Sequence, residues 1–267
     1  LFTSIKSTST DYIGDYGYKT NENSFSIGTT FQQYENFYIS PKLLTSFETL
    51  ETTNKASANL KKQKGDYFDT YFNYGIDYDL RNQAYQPTDG TRTFFSQQLP
   101  IISERNELIN TFEISKYQML PSEMVGKISF YSQAANSLTD DDVRISKRLY
   151  IPYKKLRGFQ RGKVGPKDDN SFVGGNYVSS LNMSTTLPQI LPSLQNTDFA
   201  FFIDMANVWG VDYNSSLDDK STLRSSTGLS IDLLTALGPL NFSFSETLSK
   251  ASSDKTESFR FNIGTSF

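Results

Sequence analysis

A single cationic side chain in a glycine-rich stretch is the strongest candidate for specific polar chemistry in this sequence. The stretch runs from Lys155 to Asn176 and contains four consecutive residues of interest, Leu156, Arg157, Gly158 and Phe159. An arginine guanidinium can bind a carboxylate through charge-assisted hydrogen bonds, which contribute about 1.5–3 kcal/mol. We therefore predict that Arg157 holds this stretch in place through an ion pair. The alternative is an exposed arginine in a glycine-rich loop.

The composition excludes several kinds of active site. The 267 residues include no histidine and no cysteine, so zinc sites built from these residues, thiol nucleophiles and histidine-based triads are excluded. Chemistry based on carboxylates alone is still open. The net charge of −3 gives no indication of a nucleic-acid-binding surface. We expect no metal site built from histidine or cysteine and no nucleic-acid partner.

Apolar and polar residues alternate with a period of two through most of the chain. In residues 67–80, for example, Phe68 falls on one face of an extended strand and Asp69 on the other. Residues 24–32 and 223–233 repeat the pattern. Strands of about ten residues with one apolar and one polar face are typical of transmembrane β-barrels. The 21 phenylalanines and 16 tyrosines suit such strands and the interfacial girdles at their ends.

This pattern predicts about thirteen β-strands in an all-β, antiparallel transmembrane β-barrel. Short turns and long polar connections such as residues 52–64 and 212–220 are both present, as in outer-membrane barrels. The alternative is a soluble β-sandwich, in which we would not expect short turns on one side of the sheet and long connections on the other. The predicted strands are 1–10, 22–33, 37–51, 66–80, 90–100, 105–119, 123–136, 146–151, 173–187, 197–209, 221–234, 237–248 and 256–267.

Five groups of residues, in order along the chain, resemble the BamA family of outer-membrane protein assembly insertases. The most specific is the loop motif at 156–159, where Leu156 replaces the valine or isoleucine usual in the family. The same loop continues with Gly165-Pro166 and Gly174-Gly175-Asn176. The other matching groups are 78–81 with 87–92, 202–209, 237–240 and 259–267.

The resemblance implies that residues 1–267 form the C-terminal barrel domain of a longer protein in the bacterial outer membrane. The family barrel has about sixteen strands, its long sixth extracellular loop folds into the lumen, and periplasmic POTRA domains precede it. Because the sequence begins near the family's fourth strand, we expect the POTRA domains and the first strands to be absent here.

The resemblance also implies acidic partners for Arg157. One matching acid is Asp204, which alternation places on the inner face of its strand. The second position lies eight residues after Asn176, where the family usually has glutamate and this sequence has Ser184. Asp204 is therefore the expected main partner of Arg157.

The last strand resembles the family's closing strand, which forms a weak seam with the first. Glycine inside a strand weakens its pairing and permits a bend, and Gly264 stands at that position. The apolar positions are expected to face lipid and to carry the signal that marks outer-membrane barrels for assembly. The seam residues are Phe259, Phe261, Ile263, Gly264 and Phe267.

By this resemblance the protein inserts β-barrel proteins into the outer membrane through its lateral seam, where a client strand can add to an open sheet edge. This mechanism makes and breaks no covalent bond, so the resemblance implies that the protein is not an enzyme and has no catalytic residue, no metal site and no cofactor. The implied partners are unfolded outer-membrane β-barrel proteins, outer-membrane lipids and accessory lipoproteins bound through the POTRA domains. Two alternatives are a related translocation-assembly or two-partner-secretion transporter and a passive porin. An outer-membrane protease or phospholipase is disfavoured because the chain has no histidine.

Overall fold

The computed structural model describes residues 1–267 except 13–16, 55, 85, 170, 188–196, 218–221, 236–237 and 264–267. The described residues are mostly β-structure, with one short α-helix, α1 (Ala58–Lys61), and three 3₁₀ helices at Pro121–Glu123, Ile145–Lys147 and Ser215–Leu217. No helix in this part of the chain is both long enough and apolar enough to cross a membrane.

The described residues contain fifteen β-strands. Their bounds are β1 (Phe2–Tyr12), β2 (Tyr18–Gly28), β3 (Phe31–Tyr34), β4 (Phe37–Thr52), β5 (Gly65–Asp79), β6 (Gly90–Ser103), β7 (Glu107–Met119), β8 (Val125–Ser137), β9 (Lys167–Asp168), β10 (Ser171–Phe172), β11 (Tyr177–Thr186), β12 (Thr197–Trp209), β13 (Arg224–Thr235), β14 (Gly238–Ser249) and β15 (Phe259–Ile263).

Thirteen of these strands form one antiparallel sheet in which neighbours in sequence are neighbours in space. The order is β1-β2-β4-β5-β6-β7-β8-β11-β12-β13-β14-β15, with β3 paired to β4. Strands β9 and β10 pair only with each other, inside the connection between β8 and β11. A large up-and-down sheet of long antiparallel strands is the wall of a β-barrel. The predicted fold class is therefore confirmed.

One predicted strand is wrong. Residues 146–151 form no strand: Ile145–Lys147 is a 3₁₀ helix, and Leu149 makes a single β-bridge to Gly175. Leu149 and Ile151 are buried among other side chains, so the alternation in this segment reflects side-chain burial and not strand pairing. Elsewhere, the predicted strand 22–33 is divided between β2 and β3.

The two faces of the sheet differ as the alternation predicts. On β5, Phe68 is 46% exposed on the outer face, whereas Asp69 is fully buried on the inner face. An apolar exterior and a polar interior are what a strand wall requires in lipid. Other large apolar side chains exposed on the outer face include Phe25, Leu43, Ile128, Phe201, Leu229 and Phe244.

The connection between β8 and β11, residues 138–176, folds back into the interior, and we call it the lumenal loop. Its apolar residues pack with the wall and with other connections in two clusters. One cluster contains Leu156, Phe159, Val164, Val178, Ala206 and Val208. The other contains Tyr18, Leu50, Leu60, Ile145, Phe172 and Val211.

A cavity of about 1130 Å³ remains between the tip of the lumenal loop and the short turns at the opposite end of the strands. Turn residues such as Gln86, Thr88 and Glu123 line it, together with Arg157 and Ser184. The loop therefore divides the interior into a packed part under the long connections and an open, polar part at the short turns.

Candidate functional site: the lumenal loop and its anchors

Arg157 of the lumenal loop lies against Asp204 on the inner face of β12. Its Nε donates to Asp204 Oδ2 at 2.7 Å and its Nη2 donates to Oδ1 at 2.8 Å, a two-point contact between guanidinium and carboxylate. The backbone N–H of Arg157 also donates to Oδ2, at 3.0 Å. The side chain of Asp204 is fully buried and that of Arg157 is 18% exposed. A buried carboxylate requires such partners, because an uncompensated charge there is strongly destabilising.

Asn182 on the neighbouring strand β11 completes the shell around this carboxylate. It lies directly opposite Asp204 in the strand pairing, and its Nδ2 donates to Asp204 Oδ1 at 2.8 Å. The same nitrogen donates to the backbone carbonyl of Lys155 in the loop at 2.7 Å. Four donated hydrogen bonds therefore converge on Asp204, and Asn182 links the wall to the loop. Ser184, at the position of the family's second acid, lines the cavity instead.

The other motif residues position the arginine. Gly158 has a φ of +85°, and a β-carbon there would lie 3.1 Å from the β-carbons of Ser226 and Ser245. Both the backbone conformation and the close approach to the wall therefore require glycine. Leu156 and Phe159 are almost completely buried in the first apolar cluster, so they fix the loop on both sides of Arg157.

The Arg157 guanidinium also lies over an aromatic ring. Its central carbon is 3.5 Å from the ring centroid of Phe202, which lies two residues before Asp204 on the same face of β12. A planar guanidinium can stack on an aromatic face while its edge donates hydrogen bonds. A lysine at this position would provide neither the fork nor the stacking surface.

A second arginine, which the sequence did not single out, anchors the beginning of the lumenal loop to other strands of the wall. Arg144 is fully buried and faces three carboxylates from three strands. Its Nη2 lies 2.5 Å from Asp69 Oδ2 on β5 and 3.6 Å from Glu107 Oε2 on β7, and its Nη1 lies 3.4 Å from Glu48 Oε2 on β4. Lys147 lies 3.9 Å from Glu48, so three carboxylates face two cations.

The ring of Tyr67 covers the Arg144 guanidinium at 4.2 Å, and the backbone N–H of Arg144 donates to Glu107 Oε1 at 3.2 Å. Burial acts to lower the pKa of Arg144, but the carboxylates of Glu107, Glu48 and Asp69 outweigh it and hold the pKa above its ordinary value. Arg144 is therefore a permanent positive charge that joins three strands of the wall to the loop.

Two further arginines fix the connections around the loop. Arg148 forms an ion pair with Asp212 and donates to Asn176 Oδ1 at 3.0 Å. Arg224 forms an ion pair with Asp254 at 2.9 Å, and both side chains are fully buried. Each pair joins residues that are far apart in sequence, which only the folded barrel brings together.

The last strand presents its predicted apolar positions outward. Phe259, Phe261 and Ile263 on β15 are exposed on the outer face. Gly264 and Phe267 lie outside the described residues. Among those residues, no cluster of three or more acidic side chains has the geometry of a metal site.

An antiparallel barrel wall with an apolar exterior and an ion-paired lumenal loop defines a β-barrel protein of the bacterial outer membrane. A model of the Omp85 superfamily domain matches residues 3–267. The chain belongs to the Omp85 superfamily.

Curated relatives are outer membrane protein assembly factors BamA. The chain is 27% identical to that of Neorickettsia risticii over 128 residues and 28% identical to that of Neisseria meningitidis serogroup B over 141 residues. These alignments cover 47% and 42% of this chain and 17% of each relative. The chain thus matches about a sixth of the length of these relatives.

Solved structures share the fold. BamA from Haemophilus ducreyi lacking POTRA domains 1–3 superposes with a TM-score of 0.82 at 22% identity, over 96% of this chain and 56% of that one. CdiB from Acinetobacter baumannii superposes with a TM-score of 0.59 at 13% identity, over 92% of this chain and 42% of that one. At these identities the likeness concerns the fold alone.

Proposed function

We propose that this chain is the barrel domain of an insertase that assembles β-barrel proteins in the bacterial outer membrane. The observation that carries the proposal is the lumenal loop held against the wall by Arg157 and Asp204, within an Omp85 barrel. The curated relatives named for outer membrane protein assembly support it. In this proposal the reaction makes and breaks no covalent bond, so the protein is not an enzyme and needs no cofactor.

The finer part of the proposal places client insertion at the edge formed by the last strand. The register between β14 and β15 runs from Leu240 opposite Ile263 to Phe244 opposite Phe259. Strand β14 continues to Ser249 beyond this ladder, with one further backbone bond from Ser245 N to the Ser258 carbonyl. Among the described residues this ladder joins five residue pairs. Unpaired backbone groups in lipid are costly enough to attract a new strand.

The proposed partners follow from this mechanism. Unfolded outer-membrane β-barrel proteins would pair through their backbone with the open edge, and outer-membrane lipids would contact the exposed face that includes Phe259 and Phe261. Accessory lipoproteins would act through POTRA domains preceding the barrel in the whole protein. The assignment of residues 1–267 to a C-terminal barrel domain belongs to the same proposal.

A disulfide across the seam tests the finer part. In the whole protein, Asn262→Cys on β15 is paired with a cysteine on the facing first barrel strand, and assembly of a radiolabelled client into proteoliposomes is measured with and without a reductant. We expect assembly to stop in the oxidised protein and to return on reduction. The matched control places the cysteine pair across the β6–β7 ladder, at Gln97 and Asn110, and we expect no effect of oxidation there.

Full assembly with the seam locked would contradict insertion at this edge. Export of one dedicated passenger without client assembly would favour the related transporter, and solute flux without either activity would favour a porin. Client assembly, passenger export and solute flux are all measured with the same proteoliposomes.

A further inference from the structure

Residues 255–257, which lead into the last strand, pair with the lumenal loop. Gln160 N donates to the Lys255 carbonyl at 2.9 Å, and Glu257 N donates to the Gly158 carbonyl at 3.1 Å. Lys255 N in turn donates to the Lys163 carbonyl at 3.0 Å. These bonds make a short antiparallel contact centred on the bridge between Phe159 and Thr256. The loop motif is thus joined through the backbone to residues only a few positions before β15.

One side chain of β15 extends this contact into the strand itself. Arg260 lies between Phe259 and Phe261, which face outward, so its own side chain points inward. Its Nη1 donates to the Tyr153 carbonyl at 2.5 Å, and its Nη2 donates to the Phe159 carbonyl. All the nitrogens of the guanidinium are engaged, because Nε forms an ion pair with Glu257.

The two carbonyls lie on either side of Arg157, in the same loop. Arg260 is only 10% exposed, and charge-assisted hydrogen bonds are the stronger kind in such surroundings. The loop is therefore held from two directions. Asp204 on β12 holds it by the Arg157 side chain, and Arg260 on β15 holds it by the backbone on both sides of Arg157.

We propose that Arg260 is a positioning residue that couples the lumenal loop to the last strand, so that displacement of the loop loosens the β14–β15 ladder. The significance of this coupling for client insertion rests on the proposed function. A fork of donors is needed, because the acceptors lie in different directions and a single ammonium group cannot reach all of them. The ion pair of Arg157 with Asp204 thereby affects the edge of the sheet, although neither residue touches β15 in the described contacts.

Hydrogen exchange in the whole protein, reconstituted in nanodiscs and followed by mass spectrometry, tests the coupling. Ladder amides in Leu240–Phe244 and Phe259–Ile263 are compared in the unchanged protein, Arg260→Gln, Arg157→Ala and the double variant. We expect each single variant to exchange roughly tenfold faster at these amides. In the double variant we expect the exchange rate to rise no more than about twofold further, because the effects of residues that act through one contact are not additive.

Arg92→Gln is the matched control. Arg92 also faces the interior from a strand and forms an ion pair, 2.6 Å from Asp77, but this pair lies within the wall between β5 and β6. We expect no change at the β14–β15 amides in this variant. Arg260→Lys keeps the charge without the fork, and we expect an intermediate increase. If Arg260→Gln fails to fold, the same comparison of single and double variants is made with Arg260→Lys in its place.

Unchanged exchange in the Arg260 variants, or fully multiplicative effects of the two substitutions, would overturn the coupling whatever the yield of client assembly. Coupled exchange together with normal client assembly in every variant would leave the coupling in place and would count against insertion at this edge. The two proposals therefore fail on different measurements.

Discussion

The two arginines that anchor the lumenal loop differ in how their charge is balanced. Among the described residues, Arg157 forms its ion pair with one carboxylate, that of Asp204, and keeps 18% of its side-chain surface exposed. Arg144 is fully buried among the carboxylates of Glu48, Asp69 and Glu107. The first anchor depends on one pair, whereas the second gathers three strands around one cation. The difference suggests that the Arg144 anchor mainly stabilises the wall and that the Arg157 anchor sets the position of the loop tip.

Loss of Arg144 should have the largest effect on stability. Arg144→Met leaves three buried carboxylates whose remaining ion-pair partner among the described residues is Lys147, beside Glu48, and removing one partner from a buried ion network typically costs about 3–5 kcal/mol. We expect a value at the upper end, measured by urea-induced unfolding in detergent micelles. If Arg144→Met lost less free energy of unfolding than an Asp204 variant does, the division of roles between the two anchors would be contradicted.

Neutralising the carboxylate of Asp204 should cause the second largest loss of stability. In Asp204→Asn the amide group replaces one acceptor oxygen, and Arg157 loses its counter-charge, so we expect a loss of about 3 kcal/mol. The matched variant is Glu48→Gln, in which Arg144 keeps Asp69 and Glu107. We expect this variant to be much less destabilised in the same unfolding measurement. Equal losses would mean that the number of carboxylates around each arginine is unimportant.

Asn182→Ala should have a smaller effect, because it removes a neutral donor from a carboxylate that keeps its arginine. We expect a loss of about 1–2 kcal/mol and faster proteolysis of the lumenal loop, since the bond to the Lys155 carbonyl is also lost. Ser184→Ala, on the same face of β11, is the control and should leave both measurements unchanged.

The smallest expected effect is on the pH dependence of stability. Burial, followed by repulsion from Asp212, raises the pKa of Asp142 in the lumenal loop. A raised pKa means that the folded protein binds this proton more tightly than the unfolded chain, so Asp142 destabilises the fold as the pH rises from the ordinary aspartate range through its raised value. We expect Asp142→Asn to flatten this part of the stability profile slightly. Identical profiles of stability against pH for the unchanged protein and Asp142→Asn would contradict this prediction.

The first anchor could be predicted from sequence and the second could not. Alternation along β12 placed Asp204 inside, and the resemblance connected it with Arg157. Asn182 was missed because its partner depends on the register between β11 and β12, which single-strand patterns do not contain. Arg144 was missed because its three partners come from β4, β5 and β7, and nothing in the local sequence indicates which strands approach the loop.

The error at residues 146–151 has a related cause. Apolar and polar residues alternate there as they do in a strand, but Leu149 and Ile151 are buried by side chains in the interior while Arg148 meets Asp212. A segment that plugs a barrel and a strand that forms its wall can show the same period, because both have one apolar and one polar side. The roles of Gly264 and Phe267 stay predictions.

The division of the interior by the lumenal loop bears on permeability. A wide barrel with an aqueous core would let hydrophilic solutes diffuse across the membrane, but here two packed apolar clusters separate the open cavity from the long connections. Packed apolar side chains disfavour the passage of water and small polar molecules. We expect the loop that carries Arg157 to obstruct the interior of the barrel in the whole protein, so loosening its anchors should increase the leak of small solutes across the membrane.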